Sequence, residues 1–472
     1  MRARVPARIG RPLRRLRSAW REARVAWRRR RLAAAAGRGA DGAPRVLALA
    51  SWTFPVYSQS FVHQELACLA AAGFDVRLVF ARRGRPSELA PAHRALARRA
   101  LRLPYDPGVH RLDLEHFERR EPATLATALA ELSEATGLGV ARLLDHRDVL
   151  RGLSVARLAE AFRADYLHSY FFYEGALAAW LAARLLDLPR GFTAYADHRL
   201  DDYELKAAAL QISTAQLPVA TSRGVAAELR ALAPGCAPRI LVKPNAIDTL
   251  RFPARPGAAA DSARSAPLAI ACVCRIDPKK GLEVLAEALP RLGVLGIDAI
   301  VRHAGAADPG SAVETAAEDR LRARLAALGI AARFRREGVL GADGVARLLA
   351  ECPLFVAPYV ETSEGDRDAV PTALLEAMST GAAVVASDAG SIAEVVTPEV
   401  DGLLVPQRDP AALAAAIARL ARDPALAARL GAAAAATVRR RFDVALCEGA
   451  LHERVRGLVE RHRRRGGARR SA

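Results

Sequence analysis

Asp368 and Glu376 stand eight residues apart in the stretch Asp-Ala-Val-Pro-Thr-Ala-Leu-Leu-Glu. Pro371 between them suits the first turn of a helix, where its missing N–H would be unpaired anyway. That puts Asp368 in the loop before a helix and Glu376 about one and a half turns into it. A helix N-terminus offers free N–H groups to anions or sugar hydroxyls, and the two acids flank that end. Upstream, Cys274 to Gly281 (Cys-Arg-Ile-Asp-Pro-Lys-Lys-Gly) repeats the plan. The apolar run Leu268 to Cys274 reads as a buried strand, a polar loop follows, and apolar residues then recur at helical spacing. Arg275 and Lys280 thereby sit at a strand's carboxyl end, where open α/β sheets bind ligands. Two fixed cations there can neutralise a diphosphate without a metal.

Together these stretches resemble the donor half of retaining, family 4 glycosyltransferases of the GT-B fold, with an acid-x7-acid motif and an Arg/Lys pair. The resemblance implies two doubly wound, Rossmann-like domains facing across a cleft. It implies that Arg275 and Lys280 hold a nucleotide-sugar diphosphate, that Asp368 binds the donor sugar, and that Glu376 binds the ribose. The backbone N–H groups of Ala369 and Val370, beside Pro371, belong to the same donor site. Asn245 and Asp248 match a Pro-Asn-Gly-(Val/Ile)-Asp pattern, with Ala246 in place of Gly. Gly305 stands at a Gly-rich turn. Ser391 lies in Asp388 to Glu394, similar to an Asp-x-Gly-Gly-Ile-Pro-Glu loop. Leu404 lies in the Gly-Leu-Leu-Val-Pro strand that ends beside the nucleotide.

On the acceptor side, Phe54-Pro55-Val56-Tyr57-Ser58-Gln59-Ser60-Phe61 resembles a loop of bacterial exopolysaccharide enzymes of the colanic-acid type. That likeness assigns Ser58, Gln59 and Ser60 to the donor phosphates and the acceptor. His168 matches one expected histidine, while Tyr170 and Tyr195 stand where two more are expected. His198 or Asp197 is then placed to cover part of that role. The likeness further implies retention at the anomeric carbon, no cofactor and no metal. Asp366-Arg367-Asp368 also reads as DxD, a metal signature of another glycosyltransferase fold. Two rival readings stay open: a non-catalytic nucleotide-sugar-binding or scaffold protein, and another enzyme of this fold, such as a sugar-nucleotide epimerase.

The elements that must carry these residues fit a chain of 472 residues, enough for two domains with large cores. Net charge is +19, but residues 1–44 hold +12 and residues 454–472 hold +7, leaving residues 45–453 formally neutral. A nucleic-acid enzyme carries its basic footprint on the folded body, which argues against that class. The six cysteines show no CxxC pair and no histidine at metal spacing, so they read as reduced thiols. No apolar run approaches the ~18 residues of a membrane span, and the N-terminus lacks an apolar signal core. A cytoplasmic location is expected.

Residues 1–43 read as a basic arm. Leu13, Leu16, Trp20, Ala23 and Trp27 draw one apolar stripe on a helix whose remainder is largely arginine. A cationic helix with tryptophans on its apolar face suits an anionic membrane surface, and a disordered basic tail is the plainer alternative. Residues 44–250 form the expected acceptor domain, 251–266 a Pro-containing linker, and 267–430 the nucleotide-sugar domain with five strands. Residues 431–472 supply a helix crossing back to the first domain and a basic tail. Residues 81–160 read as helices.

Overall fold

The structure, a computed structural model, describes residues 7–37, 42–85, 93–254 and 267–471. Two parallel sheets organise the chain. The first has seven strands in the order Leu101–Arg102, Asp75–Phe80, Arg45–Leu49, Tyr166–Tyr170, Arg190–Ala194, Leu217–Ala220, Leu241–Val242. The second has six, in the order Phe334–Gly338, Ala299–Ala304, Leu268–Val273, Leu354–Ala357, Ala383–Ser387, Leu403–Val405. Both are covered by helices on both faces, which explains the near-continuous apolar strands. In Leu268–Val273, Ile270 and Cys272 join one core cluster while Ala271 joins the cluster on the opposite face. In Arg45–Leu49, Leu47 and Leu49 point one way and Val46 and Ala48 the other.

Each sheet grows outward in both directions from its first strand. In the second sheet the first strand, Leu268–Val273, pairs with the second, Ala299–Ala304, on one side and the fourth, Leu354–Ala357, on the other. In the first sheet Arg45–Leu49 likewise pairs with Asp75–Phe80 and Tyr166–Tyr170. The chain reverses its winding between strands one and four. The loops leaving them diverge and open a crevice at the carboxyl ends of the strands.

The structure departs from the sequence reading at several elements. The second sheet has a sixth strand, Phe334–Gly338, at its edge; Arg335 and Arg336 are exposed there, so the strand lacks an apolar run. Residues 81–160 contain two short strands, Arg82–Arg83 and Leu101–Arg102, among their helices. Most of the expected linker, 255–266, lies outside the described residues.

The N-terminal helix Ala7–Ala36 is not detached: it packs on helices Pro107–Arg120 and Arg147–Phe162. Arg28 is buried, with Nε donating to Asp113 Oδ1 at 2.8 Å and Nη2 to the Ser154 carbonyl at 3.2 Å. Leu32 and Ala35 follow on the same face and meet the domain core. The stripe containing Trp20 and Trp27 lies about 100° around the helix from that face. Trp20 is accordingly 66% exposed.

At the other end, helix Val444–Ser471 crosses to the first domain, where Leu451, Val455 and Val459 join its core. The expected basic tail is part of this helix, and Arg463 binds Asp165 and the carbonyls of Gly42 and Ala43. Among the described residues no helix is long and apolar enough to cross a membrane.

Candidate active site

The second-domain wall is built on the loop leaving strand Leu268–Val273. Two glycines let backbone approach backbone there. A Cβ on Gly305 would meet the Cys274 carbonyl at 1.9 Å, and one on Gly281 would meet the Pro358 carbonyl at 1.8 Å; both have positive φ. The short turn Pro278–Lys280 is capped by Asp277, whose carboxylate accepts from Lys279 N at 3.1 Å. Arg275 is fixed by Asp277 at 3.1 Å and by Glu314.

Lys280 is ion-paired to Asp368, with its ammonium 4.4 Å from the ring centroid of buried Tyr359. Lys279 holds Asp366 at 2.9 and 3.0 Å. Burial works against the Asp368 charge, but Lys280 and Lys279 outweigh it and hold the carboxyl below its ordinary value. Burial likewise opposes the Lys279 charge, and Asp368, Asp277 and Asp366 overcome it. Both acids of the Asp366-Arg367-Asp368 triplet are thus engaged by lysines. Among the described residues no three His, Cys, Asp or Glu side chains gather as metal ligands.

The acid-bearing helix is Thr372–Thr380, so Pro371 is its N-cap, one residue before the first turn expected for it. Leu374, Leu375, Ala377 and Met378 are buried and fix the helix against the sheet. Glu376, the fifth helical residue, is half-buried, and its carboxylate makes no hydrogen bond among the described residues. Burial pushes its carboxyl up to about 7, opposed only by Arg251. Ala369 and Val370 are buried, and their N–H groups bond no carbonyl among the described residues. Burial, and after it the neighbouring Cys274, Asp368, Cys272 and Glu376, push the Tyr359 hydroxyl well above its ordinary value, and Lys280 with its partner Asp368 sits over that ring.

Asn245 ends the first domain and donates to the Val370 carbonyl at 2.9 Å, tying the acid loop to the other lobe. Ser391 donates to Ser222 across the same divide at 2.8 Å. A Cβ on Gly390 would lie 2.1 Å from the Asp368 carbonyl, so this loop presses on the acid loop. Leu404 is half-buried on strand Leu403–Val405, within the core beneath.

The first-domain wall differs from the sequence reading. His168 does not face the crevice: it is 1% exposed, with Nδ1 3.0 Å from Tyr166 Oη and Nε2 2.9 Å from Thr193 Oγ1. Burial lowers its pKa to about 4, so it is neutral at pH 7. Tyr170 is also buried and donates to Glu65 Oε1 at 2.7 Å. Strand alternation explains both, since Tyr166, His168 and Tyr170 share the face covered by helix Ser60–Ala71.

His198 is buried beside Glu228, Nε2 to Oε2 3.1 Å. Tyr195 is half-buried in a cluster with Phe61 and Phe171, both 4.9 Å away between ring centroids. Ser58 and Gln59 are half-buried and Ser60 exposed at the start of helix Ser60–Ala71.

Sequence reasoning missed Tyr359, the Phe61–Phe171–Tyr195 cluster and a buried ionic triad. In the triad, Lys243 Nζ lies 2.7 Å from Glu65 and 2.8 Å from Glu448. Burial is the largest influence on both acids. Lys243, His168 and Tyr170 overcome it at Glu65, while Glu448 is left with a raised pKa. Lysine scarcity was the available signal, since Lys243, Lys279 and Lys280 are three of only four in the chain.

Residues 267–423 match the family model described as glycosyl transferases group 1. The protein named as a colanic acid biosynthesis glycosyltransferase, WcaL, of Escherichia coli K12 is 28% identical over 77% of this chain and 88% of its own. The alpha-maltose-1-phosphate synthase of Mycobacterium tuberculosis H37Rv is 32% identical over 59% of this chain and 75% of its own. Among solved structures, Anabaena Alr3699/HepE in complex with UDP and glucose superposes with a TM-score of 0.66. It shares 17% identity over 86% of this chain and 98% of that one, a likeness of fold. With a doubly wound sheet in each lobe and a charged crevice between them, the chain is a glycosyltransferase and belongs to the group 1 glycosyl transferases.

Proposed function

We propose that this enzyme moves a glycosyl group from a nucleoside-diphosphate sugar to a glycan or lipid-linked acceptor in exopolysaccharide synthesis, with retention at the anomeric carbon. The observation that carries the reading is the pairing of Lys280 with Asp368 over Tyr359, with Arg275 on the same switch-point loop as Lys280 and Glu376 on the helix that the acid loop enters. An arriving diphosphate exchanges the carboxylate partners of Arg275 and Lys280 for its own oxygens. Cleavage of the sugar–phosphate bond then builds charge on those oxygens, and each aimed cation lowers the barrier by ~3–4 kcal/mol, by analogy with deletions of oxyanion donors. Asp368, the N–H groups of Ala369 and Val370, and Glu376 take the sugar and ribose hydroxyls. Gly305, Ser391, Leu404 and Asn245 shape and brace that pocket. The acceptor enters against Ser58, Gln59, Ser60 and the Tyr195 cluster. The relatives named for colanic acid and for amylovoran biosynthesis support the polymer class, and the complex of HepE with UDP supports the donor class.

Lys280→Ala and Glu376→Ala are expected to abolish transfer while leaving the circular dichroism spectrum unchanged. Turnover at the wild-type rate by either purified variant sinks the assignment. A thermal-shift screen of nucleotide-sugars identifies the donor. An anomer-resolved NMR assay of the product then decides retention.

The exposed Trp20 and the arginines around it support docking of the N-terminal helix on anionic lipid. Replacing Trp20 and Trp27 together by alanine is expected to cut co-sedimentation with phosphatidylglycerol vesicles at least fivefold. Equal sedimentation removes the membrane role.

A further inference from the structure

We propose that Cys272 and Cys274 form a peroxide-sensitive thiol pair at the floor of the donor site, whose oxidation to a disulfide switches off nucleotide-sugar binding. The consequence for binding rests on the donor-site reading of Arg275 and Lys280; the thiol chemistry does not.

The two cysteines are two residues apart at the end of strand Leu268–Val273, so their side chains leave the same face. Their sulfurs are 3.8 Å apart. His303, opposite Cys272 in the parallel register, brings Nε2 to 3.9 Å from the Cys274 sulfur. Cys272 and His303 are fully buried, whereas Cys274 is half-buried.

Burial disfavours a thiolate at Cys274, but the Cys272 thiol, His303 and the charge of Lys280 oppose it and draw its pKa below the ordinary thiol value. The other five cysteines shift upward; Cys352 and Cys447 reach about 11. Cys274, the less buried of the pair, is the sulfur that peroxide meets first.

Peroxide attack at Cys274 forms an S–O bond, breaks the O–O bond and releases hydroxide, giving a sulfenic acid. The Cys272 sulfur then attacks the Cys274 sulfur, and the S–O bond breaks. The departing hydroxyl takes the Cys272 proton and leaves as water, and the hydroxide released in the first step becomes the second water with the proton that Cys274 lost on ionising. In sum, two thiols and one hydrogen peroxide become one disulfide and two waters, the thiols losing two electrons.

Closing the sulfurs to about 2 Å moves a strand end that has no slack. The Cys274 carbonyl receives the His303 ring at 3.0 Å and lies against Gly305, where even a Cβ would collide. The next residue is Arg275, whose place between Asp277 and Glu314 depends on that strand end.

The test treats the full chain with stoichiometric hydrogen peroxide. It counts free thiols, maps the disulfide by mass spectrometry, and measures binding of UDP, GDP and ADP by calorimetry. Wild type is expected to lose two thiols and at least tenfold in nucleotide affinity, and dithiothreitol restores both. Cys274→Ser keeps its affinity after peroxide. Cys272→Ser stops at a dimedone-reactive sulfenic acid on Cys274. The proposal is overturned if wild type keeps both thiols, if Cys274→Ser loses affinity equally, or if the disulfide forms and affinity is unchanged. Untreated protein that binds none of the three nucleotides refutes the donor-site reading instead, and with it the switch; the thiol count still decides whether the pair is oxidised.

Discussion

Glu376 is the residue whose surroundings say most about its use. Its helix buries Leu374, Leu375, Ala377 and Met378, so the carboxyl is carried into a half-dry position by neighbours that pack. Among the described residues nothing donates to it, and its pKa rises from 4.5 to about 7. An acid raised by folding binds a proton more tightly in the folded state. The folded chain is therefore relatively most stable below the ordinary value, and stability is lost as pH climbs through 7. The full span of that loss is about 3 kcal/mol at most. Glu376→Gln is expected to melt several degrees above wild type at pH 8, with the gap closing by pH 5, in calorimetric scans at both values. The same substitution is expected to weaken nucleotide binding at least tenfold, because the amide offers a poorer pair of acceptors to ribose hydroxyls. Parallel melting curves for the two proteins at both pH values refute the idea that stability is given up at this position for binding.

At the scale of elements, the C-terminal helix Val444–Ser471 is held to the first domain by apolar contacts and by the Glu65–Lys243–Glu448 triad. Removing one partner of a buried ion pair strands the other charge, at about 3–5 kcal/mol. Lys243→Met is expected to lose that much in urea unfolding, because two buried carboxylates are left facing each other. Glu448→Gln is expected to lose less, since that carboxyl already protonates more readily. Equal losses for the two variants contradict the ranking. The triad was illegible in the sequence because residues 65, 243 and 448 share no periodicity, and only the fold makes them neighbours. The edge strand Phe334–Gly338 was illegible for a different reason: its side chains are charged, and pairing comes from backbone groups alone. The elements with clear apolar patterns were legible, the strand expected over Leu268 to Cys274 to within one residue. The placement of Arg275 and Lys280 was legible because they follow an apolar strand, and that of Asp368 and Glu376 because Pro371 marks the start of a helix between them. His168 and Tyr170 were misread because a motif gives position along a strand and not which face a side chain leaves.

At the scale of the molecule, one rim of the crevice carries a group of polar contacts between the two lobes. Glu394 accepts from the N–H groups of Arg223 and Gly224, both at 2.8 Å, at the start of helix Arg223–Leu232. Its loop also carries Ser391, which bonds the Ser222 cap of that helix. Nearby, Arg367 of the acid loop reaches Glu228, which also faces Arg199 and His198. A carboxylate on a helix N-terminus contributes about 0.3–2 kcal/mol, and the two charged hydrogen bonds put this one toward the upper end. That is enough to bias closure without locking it, as an enzyme that must admit and release two substrates requires. Glu394→Ala is therefore expected to leave each lobe folded, with an unchanged far-ultraviolet spectrum, and to enlarge the radius of gyration in X-ray scattering. About 1.4 kcal/mol of lost closure corresponds to a tenfold rise in KM. A more open crevice also admits water, so the fraction of donor hydrolysed rather than transferred is expected to rise. Glu228→Gln acts on the same rim through Arg367 and is expected to move all three observables in the same direction, with a less-than-additive double variant because both contacts serve one closure. An unchanged radius together with an unchanged KM in Glu394→Ala rules out this rim as the element that sets closure.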